Sequence, residues 1–255
     1  QWVGWPIAIA GVLLFVPVYD AGWHGQINAF LAVVLTLSAQ AALRNDQAIS
    51  GRWLALGALL KLTPGISLLV LAARGHWRAF RSAVVVGVGV VIVTLPVTDA
   101  TLWRDGMITA LTTNYIHNQV VSWTGLFVLW FGQPGAWIGI ALTFCMLGLT
   151  FVRAKRIPLA LAFAASILVP LLIARITWPH HSVMALPALA LIWKTSFRGR
   201  LLAAGAWLAL TLWSHTNIAN LGFLMVPIAL TVCWICCCWP KLILAPMKMD
   251  VSSAS

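Results

Sequence analysis

Long apolar runs, each ended by a few polar residues, recur from one end of the chain to the other and restrict what it can become. The stretches 82–97, 158–174 and 221–239 contain no charged residue at all. Runs of roughly 17–20 apolar residues have the length a helix needs to cross the hydrocarbon of a bilayer. The chain holds no Glu, and 8% of its 255 residues are charged, where a soluble domain carries about 25%. Such a chain cannot cover a water-facing surface. The short alternating segments of a membrane β-barrel are absent. The expected fold class is all-α: a polytopic helical membrane protein forming a single transmembrane domain over 1–255.

The formal net charge of +11 points first to nucleic acid, but the basic residues do not form a face with interleaved aromatics. They fall in short clusters between apolar runs: 44–52, 74–81, 153–158, 194–200 and the tail from Trp239 hold all of them except Lys61, Arg104 and Arg175. Positively charged loops stay on the cytoplasmic side. That rule places these five segments inside, and the breaks at 19–28, 98–122, 175–181 and 214–220 outside. Spans then alternate over 2–18, 27–43, 82–97, about 135–152, 158–174, 183–193, 201–213 and 221–239, about eight in all.

One segment breaks the parity. Residues 53–73, "WLALGALLKLTPGISLLVLAA", have basic, inside-type loops at both ends. Pro64 removes a backbone donor and biases Thr63 away from helical geometry. The expectation is a re-entrant pair of half-helices with Lys61-Leu62-Thr63-Pro64 at the tip, lining an internal cavity where the broken backbone can be satisfied.

The unusual polar residues gather on the outer side. Every histidine except His76 is there, with Gln26 and Asn28 in "GQIN" and Asn118 and Gln119 in "HNQ". A charged residue in mid-span is a functional feature by default, and Lys61 suits an anionic group such as a lipid-linked phosphate. The adjacent His180 and His181 follow Arg175 and a Trp-Pro pair. Pro179 favours a helix start, so 180–182 are expected to form the first turn of an α-helix whose free amides attract an anion. Only one of the two imidazoles is then expected to face the site. No metal site is expected, because no HxxxH or carboxylate partner accompanies the pair. The cysteines Cys145, Cys233, Cys236, Cys237 and Cys238 read as lipid-facing apolar filler, with no disulfide framework. No Walker loop, G-x-G-x-x-G, G-x-S-x-G or H-E-x-x-H is present, so cytosolic nucleotide chemistry has no support.

These pieces, in this order, resemble glycosyltransferase family 87, polyprenol-phosphate-sugar-dependent enzymes of the GT-C type. The matching elements are "GQIN" at 25–28, "LALGALLKLTP" followed by "HWRAF", "NQ" at 118–119 and "ITWPHHSVMALPAL". "NQVVSWTG" departs from the pattern, lacking the serine usual after the Asn-Gln pair. The resemblance implies a membrane hexosyltransferase, with mannose the expected sugar. Its donor would be a polyprenyl-phosphate sugar, and its acceptor a glycolipid or polysaccharide at the outer face of the cell membrane. Lys61, Arg175, His180 and His181 are the candidates for the donor phosphate, and Gln26, Asn28, Asn118 and Gln119 for substrate contact. The catalytic residue is unassigned: the family's presumed Asp lies in a first outer loop upstream of everything matched. The chain is accordingly expected to be the C-terminal two-thirds of a full-length enzyme. No cofactor is implied. A polytopic transporter or lipid flippase, which also uses broken helices and midplane charge, and an inactive fragment remain the alternatives.

Overall fold

The apolar runs fold as helices, and the polar breaks supply their caps. The computed structural model describes residues 12–23, 26–96, 101, 104–105, 108, 122–174, 177, 179–215 and 222–244. In chain order the helices are α1 (Val16–Trp23), α2 (Asn28–Leu43), α3 (Gln47–Leu60), α4 (Pro64–Ala73), α5 (Trp77–Thr94), α6 (Trp123–Phe131), α7 (Gln133–Ala154), α8 (Leu159–Ile173), α9 (Leu186–Trp193), α10 (Phe197–His215) and α11 (Gly222–Cys238). A 3₁₀ helix, Pro179–Ala185, precedes α9, and another, Pro240–Leu242, follows α11. No strand occurs among the described residues.

Local chemistry sets the ends. Asn45 at φ +61° and Gly75 at φ +86° stand just past α2 and α4. The following amides reach back: Asp46 N bonds Ala41 O at 2.9 Å and His76 N bonds Leu71 O at 3.0 Å. Both are the left-handed closure in which the chain bonds back across the last helical turn. Asp46 then caps α3 by accepting from Ile49 N at 3.2 Å. Most of 44–52, read from its charges as a loop, is therefore the first part of a helix.

The interruption expected near Lys61 is present, although its geometry differs. Lys61 itself is extended (φ −159°, ψ 130°), and Thr63 is helical (φ −56°, ψ −40°) despite the proline after it. Pro64 occupies the first position of α4, where its missing N–H has no intrahelical partner to lose. The pre-proline bias is a preference, and here the break falls two residues earlier. After it the chain turns back. Gly51 near the start of α3 lies directly against the Ala79 carbonyl near the start of α5, so α4 returns to the level at which α3 began.

α8 is the axis of the molecule. Every residue from Leu161 to Ile173 is buried, and the helix packs against α2, α4, α6, α7, α9 and α11. A helix apolar on all sides belongs in such a position. Hydroxyls and indoles join helices within the apolar interior. Ser67 and Ser166 Oγ are 2.8 Å apart, linking α4 to α8. Trp234 Nε1 donates to Thr150 at 2.9 Å and Trp123 Nε1 to Thr231 at 2.7 Å, tying α11 to α7 and α6. Such bonds hold helices together where no hydrophobic force separates protein from lipid.

Two features depart from the sequence reading. Cys233, Cys237 and Cys238 are buried against the core, and Cys236 is half-buried; three of the four clustered thiols face protein, because α11 turns that side towards α8. Only Cys145 is exposed. α6 was not expected. Ser122 caps it by accepting from Gly125 N at 3.2 Å, Gly132 ends it at φ +61°, and α7 then folds back along it.

α5 and α7 are the two described helices long and apolar enough to cross a membrane, and little of either is buried. Val85, Ile92, Val93, Trp137 and Phe144 are all largely exposed. A core helix of a soluble protein would be covered, so these faces mark a membrane-associated molecule. The helices expected at 27–43, 158–174 and 221–239 are present as the shorter α2, α8 and α11.

Candidate functional site at the helix break

The break between α3 and α4 places a cation beside the start of α2. Lys61 Nζ donates to Asn28 Oδ1 at 3.1 Å. Asn28 is the first residue of α2, yet its side chain makes no capping bond. It is fully buried, and its Nδ2 has no hydrogen-bond partner among the described residues. A buried, unsatisfied amide donor costs free energy unless something accepts from it. The only partner described for Lys61 is a neutral amide oxygen, so its charge is not neutralised there.

The 3₁₀ helix Pro179–Ala185 packs against α1, α2 and α8 and carries the histidine pair into the same region. The expected α-helical turn at 180–182 is a 3₁₀ turn that becomes α-helix only at Leu186. Its tighter winding sets successive side chains about 120° apart. The two imidazoles meet edge to face, with ring centroids 4.7 Å apart. His180 is buried. His181 is only partly covered, and Lys61 lies close enough for its charge to act on the ring.

Three buried hydroxyls were not singled out in the sequence: Thr63 at the hairpin tip, and Thr177 and Ser182 on either side of the histidines. None has a partner among the described residues. Their signal was adjacency, since each stands within three positions of a residue already chosen. Like the Asn28 amide, each is a buried donor still free to meet an acceptor such as an oxyanion. Gln26 is exposed in the turn leading into α2, its backbone amide bonded to Ala21 O at 2.8 Å. Asn118, Gln119 and Arg175 lie outside the described residues.

The rest of the frame fixes which end of the molecule this is. Ser122 Oγ donates to Ala174 O just past the C-terminus of α8. The other end of α8 is the basic one, where Arg74 Nη1 donates to Ala154 O and, at 2.7 Å, to Ile157 O. The Lys61 region and the basic turns are therefore at opposite ends of the bundle.

Among the described residues the chain is an all-helical bundle with exposed apolar faces, as a membrane-associated protein has. The sequence pattern described as glycosyltransferase family 87 matches residues 1–174, and the chain belongs to that family. The matched region contains Asn28, Lys61 and all of α8, while His180 and His181 lie just beyond it. Membership makes glycosyl transfer from a sugar donor to an acceptor the activity of the class. No curated protein and no solved structure matches the chain.

Proposed function

We propose that the protein transfers a hexose, mannose, from a polyprenyl-phosphate sugar to a glycolipid or polysaccharide hydroxyl. The reaction takes place at the outer face of a cell membrane that the chain crosses several times. The observation carrying this reading is the Lys61 ammonium. It is held on a broken helix by Asn28 at 3.1 Å, close enough for its charge to act on His181, with no carboxylate to neutralise it among the described residues.

Transfer separates the sugar from a phosphate that leaves with increased negative charge. A cation and hydrogen-bond donors fixed in advance around that oxygen stabilise the departing group more than the bound donor. Lys61 and His181 take this role, with Arg175 in the same loop as the histidines and His180 packed behind its neighbour. Gln26, Asn28, Asn118 and Gln119 contact the sugar or acceptor. A carboxylate removes the acceptor proton as general base; none of the described residues is assigned to it. Both ends of the α3–α4 hairpin face the cytoplasm, so its tip approaches the outer site from within the bilayer.

Lys61→Met and Lys61→Arg in the full-length enzyme test the reading, with transfer and donor affinity both measured. Met removes the charge and is expected to abolish most transfer and weaken donor binding by roughly tenfold or more, while Arg retains part of both. Unchanged donor binding in Lys61→Met would remove the phosphate role.

A further inference from the structure

At the end of the bundle remote from Lys61, two basic turns are locked into one unit. Arg74 closes α4 and donates through Nη1 to the carbonyls of Ala154, the last residue of α7, and Ile157 in the turn after it. Between the two turns is a hollow of about 570 Å³ lined by Ala72, Ala73, Arg74, Gly75, Trp77 and Lys155. Neither "RGHWRAFR" nor "RAKRIP" contains an acid. Lys155 is exposed and Trp77 is 58% exposed. Arg74 uses Nη1 on the carbonyls, but its Nε is buried with no partner among the described residues. Nothing in the proposed transfer reaction uses this hollow.

A guanidinium, an ammonium and an indole around one hollow suit a phosphate oxygen cluster. The remainder of the lining indicates what the phosphate is attached to. Ala72 and Ala73 give the hollow an apolar wall, and Leu69, one helical turn earlier on α4, is 49% exposed. An acyl chain can follow that exposed strip while its headgroup stays between the turns. A soluble phosphate would have no use for it.

We propose that this pocket binds the phosphate of an anionic phospholipid headgroup. Arg74 and Lys155 supply the positive charge that holds the phosphate, and Trp77 sits at the headgroup level. The ligand is distinct from the polyprenyl donor and lies at the opposite end of the molecule.

The test uses the intact protein in vesicles of phosphatidylcholine doped with phosphatidylglycerol, followed by native mass spectrometry of the lipid retained after extraction. Lys155→Glu is compared with Lys194→Glu, an equal charge change at an exposed position on another basic turn. The expected result is a fall in retained phosphatidylglycerol of roughly fivefold or more for Lys155→Glu, with little change for Lys194→Glu and unaltered thermal unfolding in both. Equal losses in the two variants would mean that only the general positive field attracts lipid, and would overturn the pocket. Displacement of the lipid by millimolar inorganic phosphate would make this a soluble-anion site and overturn the lipid assignment.

Discussion

Asn28 controls how much of the Lys61 charge is available to a ligand. Its oxygen accepts from the ammonium at 3.1 Å and its nitrogen is unpartnered among the described residues. Asn28→Asp keeps the shape but replaces the amide with a carboxylate, which pairs with Lys61 and repels a phosphate. The protein should still fold, and donor affinity, measured by equilibrium binding, should fall by roughly tenfold or more; wild-type affinity would detach Asn28 from the site. The importance of Lys61 was legible because a charge in the middle of an apolar run stands out. Its partner was not, since 33 residues separate the two and sequence does not reveal which helix starts meet. Which of His180 and His181 is the buried one was also hidden. It depends on the 3₁₀ winding of Pro179–Ala185, and proline at a helix start is compatible with either winding.

At the scale of the element, the hairpin depends on a backbone approach that only glycine permits. A Cβ on Gly51 would run into the Ala79 carbonyl, whereas one on Gly57 would meet only side-chain atoms, of Pro64 and Val34, at 3.0–3.2 Å, closer than ordinary contact. Gly51→Val is expected to cost roughly 1–3 kcal/mol through forced separation of α3 and α5, read as an earlier thermal unfolding transition in detergent. Gly65→Val, where a Cβ meets nothing, is the comparison and should cost less. The hairpin was legible because charge parity and Pro64 agreed on it. α6 was not, because nine apolar residues beside a long polar stretch have neither the length of a span nor the alternation of a surface helix. The burial of Cys233, Cys237 and Cys238 was equally hidden: in a sequence this apolar, lipid-facing and protein-facing sides have the same composition.

For the whole molecule, the placing of the basic turns at 74–81 and 153–158 together at one end was legible, since it depends only on which residues fall between the apolar runs. It also fixes an expected topology. Single cysteines at Ala48 and His76 in a background without the native thiols should both react with a membrane-impermeant maleimide from the cytoplasmic side only. Labelling of either from outside would turn the α3–α4 hairpin into a crossing and invert everything after it. The helix at the axis has a consequence for how the molecule is made. α8 is apolar on every side and reads as an ordinary span, yet in the finished fold it is surrounded by six other helices. On the multi-pass reading, segments enter the bilayer in order of synthesis and associate afterwards. α8 then spends its first moments among acyl chains, before α9 and α11 exist to enclose it. Its maturation consists of exchanging lipid neighbours for protein ones, and a ribosome halted before α11 would hold an intermediate whose central helix is still solvated by the membrane.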